Sequence, residues 1–534
     1  MKSSLSDSVP CVTARAFLAA VLLATSARGA EPPPPPAATH ELPDAPALPS
    51  SHAREPEPES DAIKVRLNGE YEARQSFLTS LPLVPVAGSP AELGQTSRLF
   101  HWLRLRGLAL FGDHVELRGA IDAPRGMIYG QEPEAVPDNG TDFDRPQPVR
   151  IHPRLLRLTL RGRVGEISIG HTTTQLGLGL VDADGDQPRY FGTPERPATY
   201  ERLELLSGSA ASTLRVGASA DVLFDDGHLS LVDGDHLLRI ALSASAAPSR
   251  HARLSLLARY EGLQKRDVRG GARTFLLDAS GSLQSPLPGR RGALFVEYEG
   301  AYRVGDVSEP TAFGAVDGDL TLASLALAVR AGVKLDDSQD FRPFARLVAS
   351  VEWGMASGDA DPTDDELHRF VMNPNHAVGA LLFGEILRFK TSRAQALLGT
   401  RNARAASARV EGLATRGGVA GASYLNPIVL VRPNPDLALK LGAVVASATT
   451  AVVDPGMLAS RSRRANFDGG SPLGRALGAE LDLGAELTVP LDAPTLLRLS
   501  IEGALAFPGS AFDAEDGRAL GTQALTTAGL GLTF

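Results

Sequence analysis

The chain has 534 residues, of which 43% are hydrophobic and 22% are charged, and this composition excludes a protein that is disordered as a whole. The formal net charge of -9 argues against a nucleic-acid-binding protein. A single cysteine excludes a disulfide scaffold and a thiolate metal site. No run of about 18 apolar residues occurs, so no membrane-spanning helix is predicted.

The N-terminal segment, residues 1–27, has the pattern of a secretory signal peptide. Lys2 and Arg15 precede a short apolar stretch, and small residues follow it. Cleavage after Ala27 or after Gly29 fits the sequence equally well. The chain is therefore expected to be exported.

Residues 28–61 are rich in proline. Because proline fixes the backbone and has no N–H to donate, this segment is predicted to be a disordered periplasmic linker. A proline-rich ligand for a partner protein is the alternative.

From residue 62 to residue 534, apolar residues recur with a period of two. In the segment 477–489, for example, leucine, alanine and valine alternate with glycine and polar residues. Successive side chains of a strand point to opposite faces, so each such segment has one apolar and one polar face. Repeated segments of this kind in an exported chain predict an all-β fold, a transmembrane antiparallel β-barrel.

A soluble β-sandwich would show the same alternation. A sandwich of this length would need several cores joined by linkers, and no second proline-rich linker follows residue 62. An aromatic content of 5%, with Trp102 and Trp353 as the two tryptophans, is low for the aromatic girdles of a barrel. The barrel remains the favoured interpretation.

The strand count tests this topology, because long outer loops must alternate with short inner turns. Eighteen strands satisfy the rule if residues 357–418 form one outer loop, whereas sixteen is the alternative because 199–206 and 420–432 are weak strands. The predicted strands lie near residues 63–74, 98–111, 115–123, 153–162, 164–171, 199–206, 213–223, 236–246, 252–261, 273–283, 292–303, 320–332, 342–356, 420–432, 437–448, 475–489, 495–506 and 523–534.

The long loop opens with a motif whose residues are Ser357, Gly358, Asp359, Asp361, Pro362 and Asp364. It resembles the alginate-export family of outer-membrane barrels, in which a strand ends in Ala-Ser-Gly-Asp-x-Asp-Pro-x-Asp. The resemblance implies an eighteen-stranded barrel in the bacterial outer membrane, loops that partly occlude the lumen, and an arginine-rich conduit for an anionic polysaccharide. Only the loop motif aligns, so no individual conduit residue is carried over.

The chain ends in an alternating strand that finishes on Phe534. Outer-membrane barrels of the resembled kind end on such an aromatic residue. The resemblance therefore implies two partners, the lipid of the outer membrane and the barrel-assembly machinery, which would recognise Phe534.

Within the long loop, residues 378–389 carry apolar side chains at roughly helical spacing. An amphipathic helix outside the membrane must cover its apolar face. Two places satisfy this requirement: the lumen or mouth of the barrel, where the helix would narrow the pore, and the surface of other outer loops.

Two aspartate sets could bind Ca²⁺, which prefers carboxylate oxygens. They are Asp182, Asp184 and Asp186, and Asp359, Asp361 and Asp364. Neither set fits the EF-hand spacing, and aspartate is a common turn residue, so structural turns are favoured. The sequence contains no catalytic motif and no other metal-ligand spacing, and the expectation is a protein with no cofactor that is not an enzyme.

If the apolar side chains face lipid, the alternate side chains face the pore. The predicted pore-lining residues are Arg104, Arg106, Arg157, Arg161, Arg215, Arg239, Arg253, Arg259, Glu297, Glu299, Glu480, Asp482 and Glu486. The arginines lie on earlier strands than the acids, so a basic wall should face an acidic one. Such a transverse field orients polar solutes.

Two classes of function remain. The first is an outer-membrane channel that passes polar or anionic solutes, including export of an anionic polysaccharide. An eighteen-stranded barrel is wide enough for an aqueous channel. The second is a closed barrel that acts as a surface scaffold, an adhesin or an outer-membrane enzyme. The channel is the favoured hypothesis.

Overall fold

The computed structural model describes residues 63–84, 92–93, 96–130, 150–187, 189–209, 212–226, 229–232, 234–264, 271–288, 291–308, 319–336, 346–362, 364–401 and 414–534. The predicted signal peptide and proline-rich linker lie outside the described residues.

Within these ranges, nineteen strands form one sheet. The strands are β1 Ile63–Leu78, β2 Ser97–Phe111, β3 Val115–Tyr129, β4 Arg150–Arg161, β5 Gly165–Thr172, β6 Thr199–Ser207, β7 Leu214–Asp225, β8 His236–Ser249, β9 Ala252–Gln264, β10 Gly271–Pro286, β11 Gly292–Ser308, β12 Asp319–Asp336, β13 Arg346–Ala356, β14 Glu366–Leu367, β15 Ala422–Asn434, β16 Leu437–Ala448, β17 Ala476–Pro490, β18 Leu496–Pro508 and β19 Gln523–Thr533. All except β14 form the wall, where neighbours pair antiparallel and β1 pairs with β19 to close the barrel. The short β14 lies in an outer loop and pairs in parallel with β12.

The prediction of a closed barrel with eighteen wall strands is confirmed. Both weak strands are present, as β6 and β15. The pairing of β15 with β16 is interrupted at Asn426 and Pro427, because proline has no N–H to donate to a ladder.

The alternation predicted from the sequence sorts the wall side chains into two faces. On β8, Leu238, Ile240 and Leu242 are 46–52% exposed, whereas Arg239 and Ala241 between them are 8% and 5% exposed. A closed barrel pairs all of its wall backbone internally, and an apolar outer surface suits it to lipid. The protein is therefore a bacterial outer-membrane protein, as the sequence predicted.

The two ends of the barrel differ in their connections. Short turns such as residues 112–114 and 435–436 mark the periplasmic end, and longer loops mark the outer end. Phe534 lies at the periplasmic end, where its N–H and C=O bond to Gly69 at 2.9 and 2.8 Å and extend the closing seam. Three outer loops are named here: L3 (residues 173–198), L7 (357–421) and L8 (449–475).

Helices occur in the outer loops. L7 contains a π-helix, Leu382–Leu387, that continues into an α-helix, Arg388–Arg401. L8 contains a short α-helix, Pro455–Arg461, and a 3₁₀ turn, Ser510–Phe512, precedes β19. Within the described ranges, no helix is long and apolar enough to cross a membrane.

An apolar core fills part of the barrel. Leu381, Phe383 and Ile386 of L7 are fully buried. They belong to one cluster with small wall residues such as Ala326 on β12 and Ala504 on β18. Small side chains on the wall leave room for L7, which therefore folds into the lumen.

Two adjacent residues on β7 test the assignment of the two faces. Ala220 is exposed between Leu203 and Ile240 on the outer face, and Ser219 points inward opposite Glu204. Ala220→Arg should lower the free energy of unfolding by about 2–4 kcal/mol, because the charge enters lipid at mid-strand. Ser219→Arg places the same charge beside a carboxylate and should cost less than about 1 kcal/mol. Urea titration in lipid vesicles measures both, and equal costs would contradict the assignment.

Candidate functional site

The residues predicted to line the pore all lie on the inward faces of the wall strands, alternating with exposed apolar neighbours. Strands β2, β4, β7, β8 and β9 carry Arg104, Arg106, Arg157, Arg161, Arg215, Arg239, Arg253 and Arg259. Strands β11 and β17 carry Glu297, Glu299, Glu480, Asp482 and Glu486. These residues differ in their position along the strand and in their ion-pair partners, and the two differences separate them into groups.

The arginines of β2–β9 do not form an uncompensated basic wall. Arg157 pairs with Glu204 at 2.6 Å and Arg215 pairs with Glu166 at 3.1 Å. The same holds for Arg104, Arg106, Arg161, Arg239 and Arg259, each of which has an acidic partner within 4 Å. Among the described residues, no ion pair is found for Arg253. Sequence reasoning missed these acids, although their period-two positions place them on the same inward faces.

Three of the acids do not line an open pore. Glu299, Glu480 and Asp482 are fully buried beneath outer loops. Glu297 and Glu486 keep more exposure and pair with Arg330 at 3.5 Å and Lys440 at 3.4 Å. The expected transverse field between a basic and an acidic wall is wrong, because the first wall is largely neutralised and much of the second is covered.

L3 crosses the lumen from β5 to the opposite wall. Phe191 near its tip is 4% exposed and packs on β16, where a Cβ added to Gly442 would lie only 2.7 Å from its ring. Arg74 on β1 donates to the C=O of Gly192 at 2.7 Å. The tip of L3 is thus held by a glycine slot and by an arginine on a third strand.

The earlier part of L3 is held by Asp182. Its buried carboxylate lies 3.7 Å from Arg239 and also pairs with Arg259. Burial raises the pKa of the Asp182 carboxyl, but the two guanidinium groups outweigh burial and hold its pKa below the usual value. L3 is therefore fastened inside the barrel both at its earlier part and at its tip.

L7 is fastened by Glu480 on β17. The Glu480 carboxylate accepts the backbone N–H groups of Ala380, Leu381 and Leu382 at 2.6, 2.7 and 2.6 Å. Hydrogen bonds to a charged acceptor are stronger than neutral ones, so this contact is a firm anchor.

A second contact joins L7 to L3 and to the wall. Nδ1 of His376 lies 3.0 Å from the C=O of Leu178, and Nε2 lies 3.0 Å from the Glu352 carboxylate. The Tyr424 hydroxyl donates to the same carboxylate at 2.7 Å. L3, L7, β13 and β15 therefore meet at His376.

The motif at the start of L7 ties the arms of the loop together. The Ser357 hydroxyl donates to the C=O of His368 at 2.5 Å and accepts the N–H of Leu325 at 2.9 Å. Asp359 accepts the N–H groups of Asp361 and His368 at 2.9 and 3.2 Å. These contacts are structural, and they explain the serine and the first aspartate.

The remaining motif residues also make loop contacts. Gly358 packs closely, since an added Cβ would lie 2.5 Å from the hydroxyl of Thr450 and 3.1 Å from Gly421. Asp361 pairs with Arg464 of L8 at 3.4 Å. Asp364, two residues after Pro362, accepts the N–H of Glu366 at 3.1 Å.

The aspartates of L3 likewise have protein partners. Asp184 accepts the N–H of Asp186 at 2.9 Å, and Asp186 pairs with Arg104 at 2.6 Å. Within the part of the chain that the structure describes, no group of three or more potential ligands could hold a metal ion. Turn formation and ion pairing account for both aspartate sets.

The helix predicted over residues 378–389 lies in the lumen, one of the two places considered. Only its second half is helical, as the π-helix, and the regular α-helix starts at Arg388. The apolar residues of this segment are buried by the wall and by other loops on all sides of the helix. They are therefore not confined to one face, as they would be in an amphipathic helix.

Below the loops, the barrel encloses a cavity of about 460 Å³. It reaches from Thr533 near the periplasmic end up to Gly379 of L7. Eight arginine or lysine residues and five acids line it. The bases are Arg74, Arg104, Arg106, Arg189, Arg330, Arg432, Lys440 and Arg498, and the acids are Glu70, Glu72, Asp186, Glu486 and Glu502.

A smaller cavity of about 50 Å³ lies above it between L3 and L7. The two cavities share Arg189, Gly192, Ala377, Gly379 and Glu502. The two cavities are therefore adjacent, and these shared residues, called the constriction here, lie between them.

Arg189 of L3 is the basic residue at this constriction. Its guanidinium donates to the C=O of Thr193 at 2.9 Å and to the side chain of Asn375 in L7. Burial lowers the pKa of Arg189 to about 10, so the group remains a cation at neutral pH. This charge therefore borders both cavities.

No family model and no curated protein matches this sequence. Among solved structures, Pseudomonas aeruginosa OpdK with vanillate has a TM-score of 0.47 and 10% identity, covering 88% of this chain and 99% of that chain. Acinetobacter baumannii OccAB1 has a TM-score of 0.46 and 10% identity, covering 88% and 96%. Pseudomonas aeruginosa OprD has a TM-score of 0.44 and 12% identity, covering 88% and 95%. At this identity the similarity concerns the fold alone.

A buried carboxyl group also holds L8 at the outer mouth. Asp454 is 1% exposed and caps the helix Pro455–Arg461, accepting the N–H groups of Gly456 and Met457 at 2.7 and 3.1 Å. Burial raises the pKa of the Asp454 carboxyl to about 7, although the two N–H groups oppose the shift. The protonated form is therefore favoured more in the folded loop than in the unfolded chain.

The raised pKa makes this cap dependent on pH. Because the pKa is higher in the folded loop, protonation of Asp454 stabilises the folded L8 helix fully below the ordinary aspartate pKa of about 4, and this stabilisation is lost as pH rises to about 7. Between these pH values, the equilibrium constant for local opening of the helix should rise about tenfold per pH unit. Asp454→Asn keeps a capping acceptor and cannot titrate. Hydrogen exchange of the helix amides, compared between the two proteins at each pH, should diverge across this window. Parallel curves would contradict the assignment.

Proposed function

We propose that this barrel is a channel for small polar or anionic solutes. The observation that carries the proposal is the pair of adjacent cavities, which share a border that includes Arg189. The lower cavity begins near the periplasmic end of the barrel, and the upper cavity lies between L3 and L7.

The charge of the lining favours anions. Bases exceed acids eight to five around the lower cavity, although the whole chain carries -9. An excess of one sign in a cavity with low-dielectric walls raises the local concentration of the opposite charge. The lumen is therefore expected to attract anions even though the chain as a whole is negatively charged.

The selectivity is tested at Arg189. Arg189→Gln removes the cation at the constriction and should weaken anion selectivity. The ratio of anion to cation permeability should fall about tenfold, because one charge-assisted contact is worth about 1.4 kcal/mol. The measurement is the reversal potential in a planar bilayer under a salt gradient.

Arg250→Gln is the matched control, because Arg250 lies exposed in the turn between β8 and β9. It removes the same charge from outside the lumen and should leave the reversal potential unchanged. Equal shifts in both variants would contradict a selective constriction. Absence of conductance in the unmodified protein would instead favour the closed barrel that acts as a scaffold or adhesin.

Export of an anionic polysaccharide is the second candidate, and the excess of bases around the lower cavity also supports it. A polymer would need L3 and L7 to separate, because Arg189 of L3 and Asn375 of L7 are in contact across the upper part of the lumen. Block of the channel current by a polyuronate, but not by its monomer, would favour export over passage of small solutes.

Two further hypotheses belong with this proposal. Recognition of Phe534 by the barrel-assembly machinery stays a prediction, which the membrane yield of Phe534→Ala tests. The protein is also proposed not to be an enzyme, and hydrolase activity of the purified barrel would contradict this.

A further inference from the structure

L3 and L7 are anchored to the wall by the same device. In L7, Gly379 has a φ of +66° and its neighbours donate three N–H groups to Glu480. In L3, Gly177 has a φ of +47°, and the N–H groups of Gly179 and Leu180 donate to Glu299 at 2.8 and 3.0 Å.

Both glycines are required by close approach. A Cβ on Gly379 would lie 2.7 Å from Glu480 Oε1, and a Cβ on Gly177 would lie 2.7 Å from Glu299 Oε2. Successive N–H groups beside a left-handed residue form a concave site for an anion. Each loop thus presents such a site to a wall carboxylate.

Each anchoring glutamate has an aspartate beside it that has no donor. Asp482, two residues from Glu480, and Asp278 on β10, next to Glu299, are 0% and 3% exposed. Among the described groups, no hydrogen bond of standard geometry reaches either oxygen of either aspartate, although the Ala380 N–H that Glu480 accepts also lies close to Asp482. In both pairs the carboxyl groups share one inward face: Glu480 and Asp482 are two residues apart on β17, and Asp278 is two residues from Ser280, the partner of Glu299 across the β10–β11 pair.

Nearby charges do not resolve this shortage of donors. Around Asp482, Lys440 on β16 pairs with Glu486 and Glu502, Glu502 on β18 is itself acidic, and Glu385 of L7 is held by Arg98. Around Asp278, Arg259 on β9 is engaged by Asp182 of L3 and Glu261. On the remaining side, Tyr424 on β15, with His376 of L7 beside it, donates to Glu352 on β13.

We propose that each pair, Glu480 with Asp482 and Glu299 with Asp278, holds one shared proton that keeps its loop inside the lumen. A buried carboxylate with no donor is costly, and a shared proton lets one carboxyl of the pair donate to the other. The pair then carries one negative charge, which faces the loop N–H groups.

Loss of the proton to solvent base reverses this arrangement. Two buried carboxylates then repel each other, and the loops offer N–H groups to only one of them. When a loop moves away, water reaches its pair of carboxylates and relieves the repulsion between them. L3 and L7 therefore leave the lumen at alkaline pH. The proposal adds regulation to the proposed channel and in that sense rests on it.

The test uses hydrogen exchange of the refolded full-length barrel between about pH 6 and about pH 10, because this range brackets the second ionisation of a buried carboxyl pair. Asp482→Asn and Asp278→Asn keep a donor to the glutamate and cannot ionise. Each variant is compared with the unmodified protein at the same pH, so the chemical exchange rate cancels.

At about pH 6 the proteins should exchange alike in both loops, because the proton is present. At the alkaline end, residues 376–389 should exchange at least about tenfold faster in the unmodified protein than in Asp482→Asn, whereas Asp278→Asn should protect L3 alone. Equal exchange in all proteins at every pH would overturn the proposal.

Glu480→Gln gives a second test should Asp482→Asn not fold. A neutral amide accepts more weakly, so L7 should already exchange fast at about pH 6 and should not respond to pH. Protection equal to that of the unmodified protein would overturn the proposal. Hydrogen exchange does not depend on conductance, so the shared-proton proposal can be tested even if the barrel does not conduct. Conversely, if exchange shows no effect of pH on the loops, the channel proposal is unaffected.

Discussion

The interior of this protein depends on one constraint, which is that backbone N–H groups placed inside a barrel need acceptors. L3 and L7 carry such groups into a lumen with little solvent, where an unpaired N–H is costly. Wall carboxylates supply the acceptors, with Glu299 serving L3 and Glu480 serving L7. These two contacts, together with the ion pairs of Asp182 and the contacts of His376, hold both loops inside the lumen.

Room for the loops is made by the wall itself. Alanines such as Ala326 and Ala504 face L7, and Gly442 faces Phe191 of L3. Long charged side chains such as Arg498 and Lys440 are concentrated nearer the periplasmic end, where L3 and L7 leave the cavity of about 460 Å³ unfilled. The division between a filled upper lumen and a charged lower lumen is therefore a division in side-chain size along the strands.

The wall could be predicted from the sequence because its signal is local. In each strand, the alternation of apolar and polar residues marks the outward and inward faces. This local pattern predicts all eighteen wall strands, including β15, which Pro427 interrupts. The partners of the inward charges could not be found in the same way. Arg157 meets Glu204 from a strand that is not its neighbour, and Asp182 meets Arg259 from a loop that crosses the lumen.

Alternation gives the face of a residue but not its depth, and depth decides its role. Glu480 and Glu486 lie on the same face of β17, and their sequence surroundings are alike. Glu480 is fully buried because L7 covers it, whereas Glu486 borders the lower cavity and pairs with Lys440. An inward charge on a barrel strand therefore predicts a pore lining only where no loop reaches it. Loop position is a property of the folded chain, and here two buried carboxylates determine it.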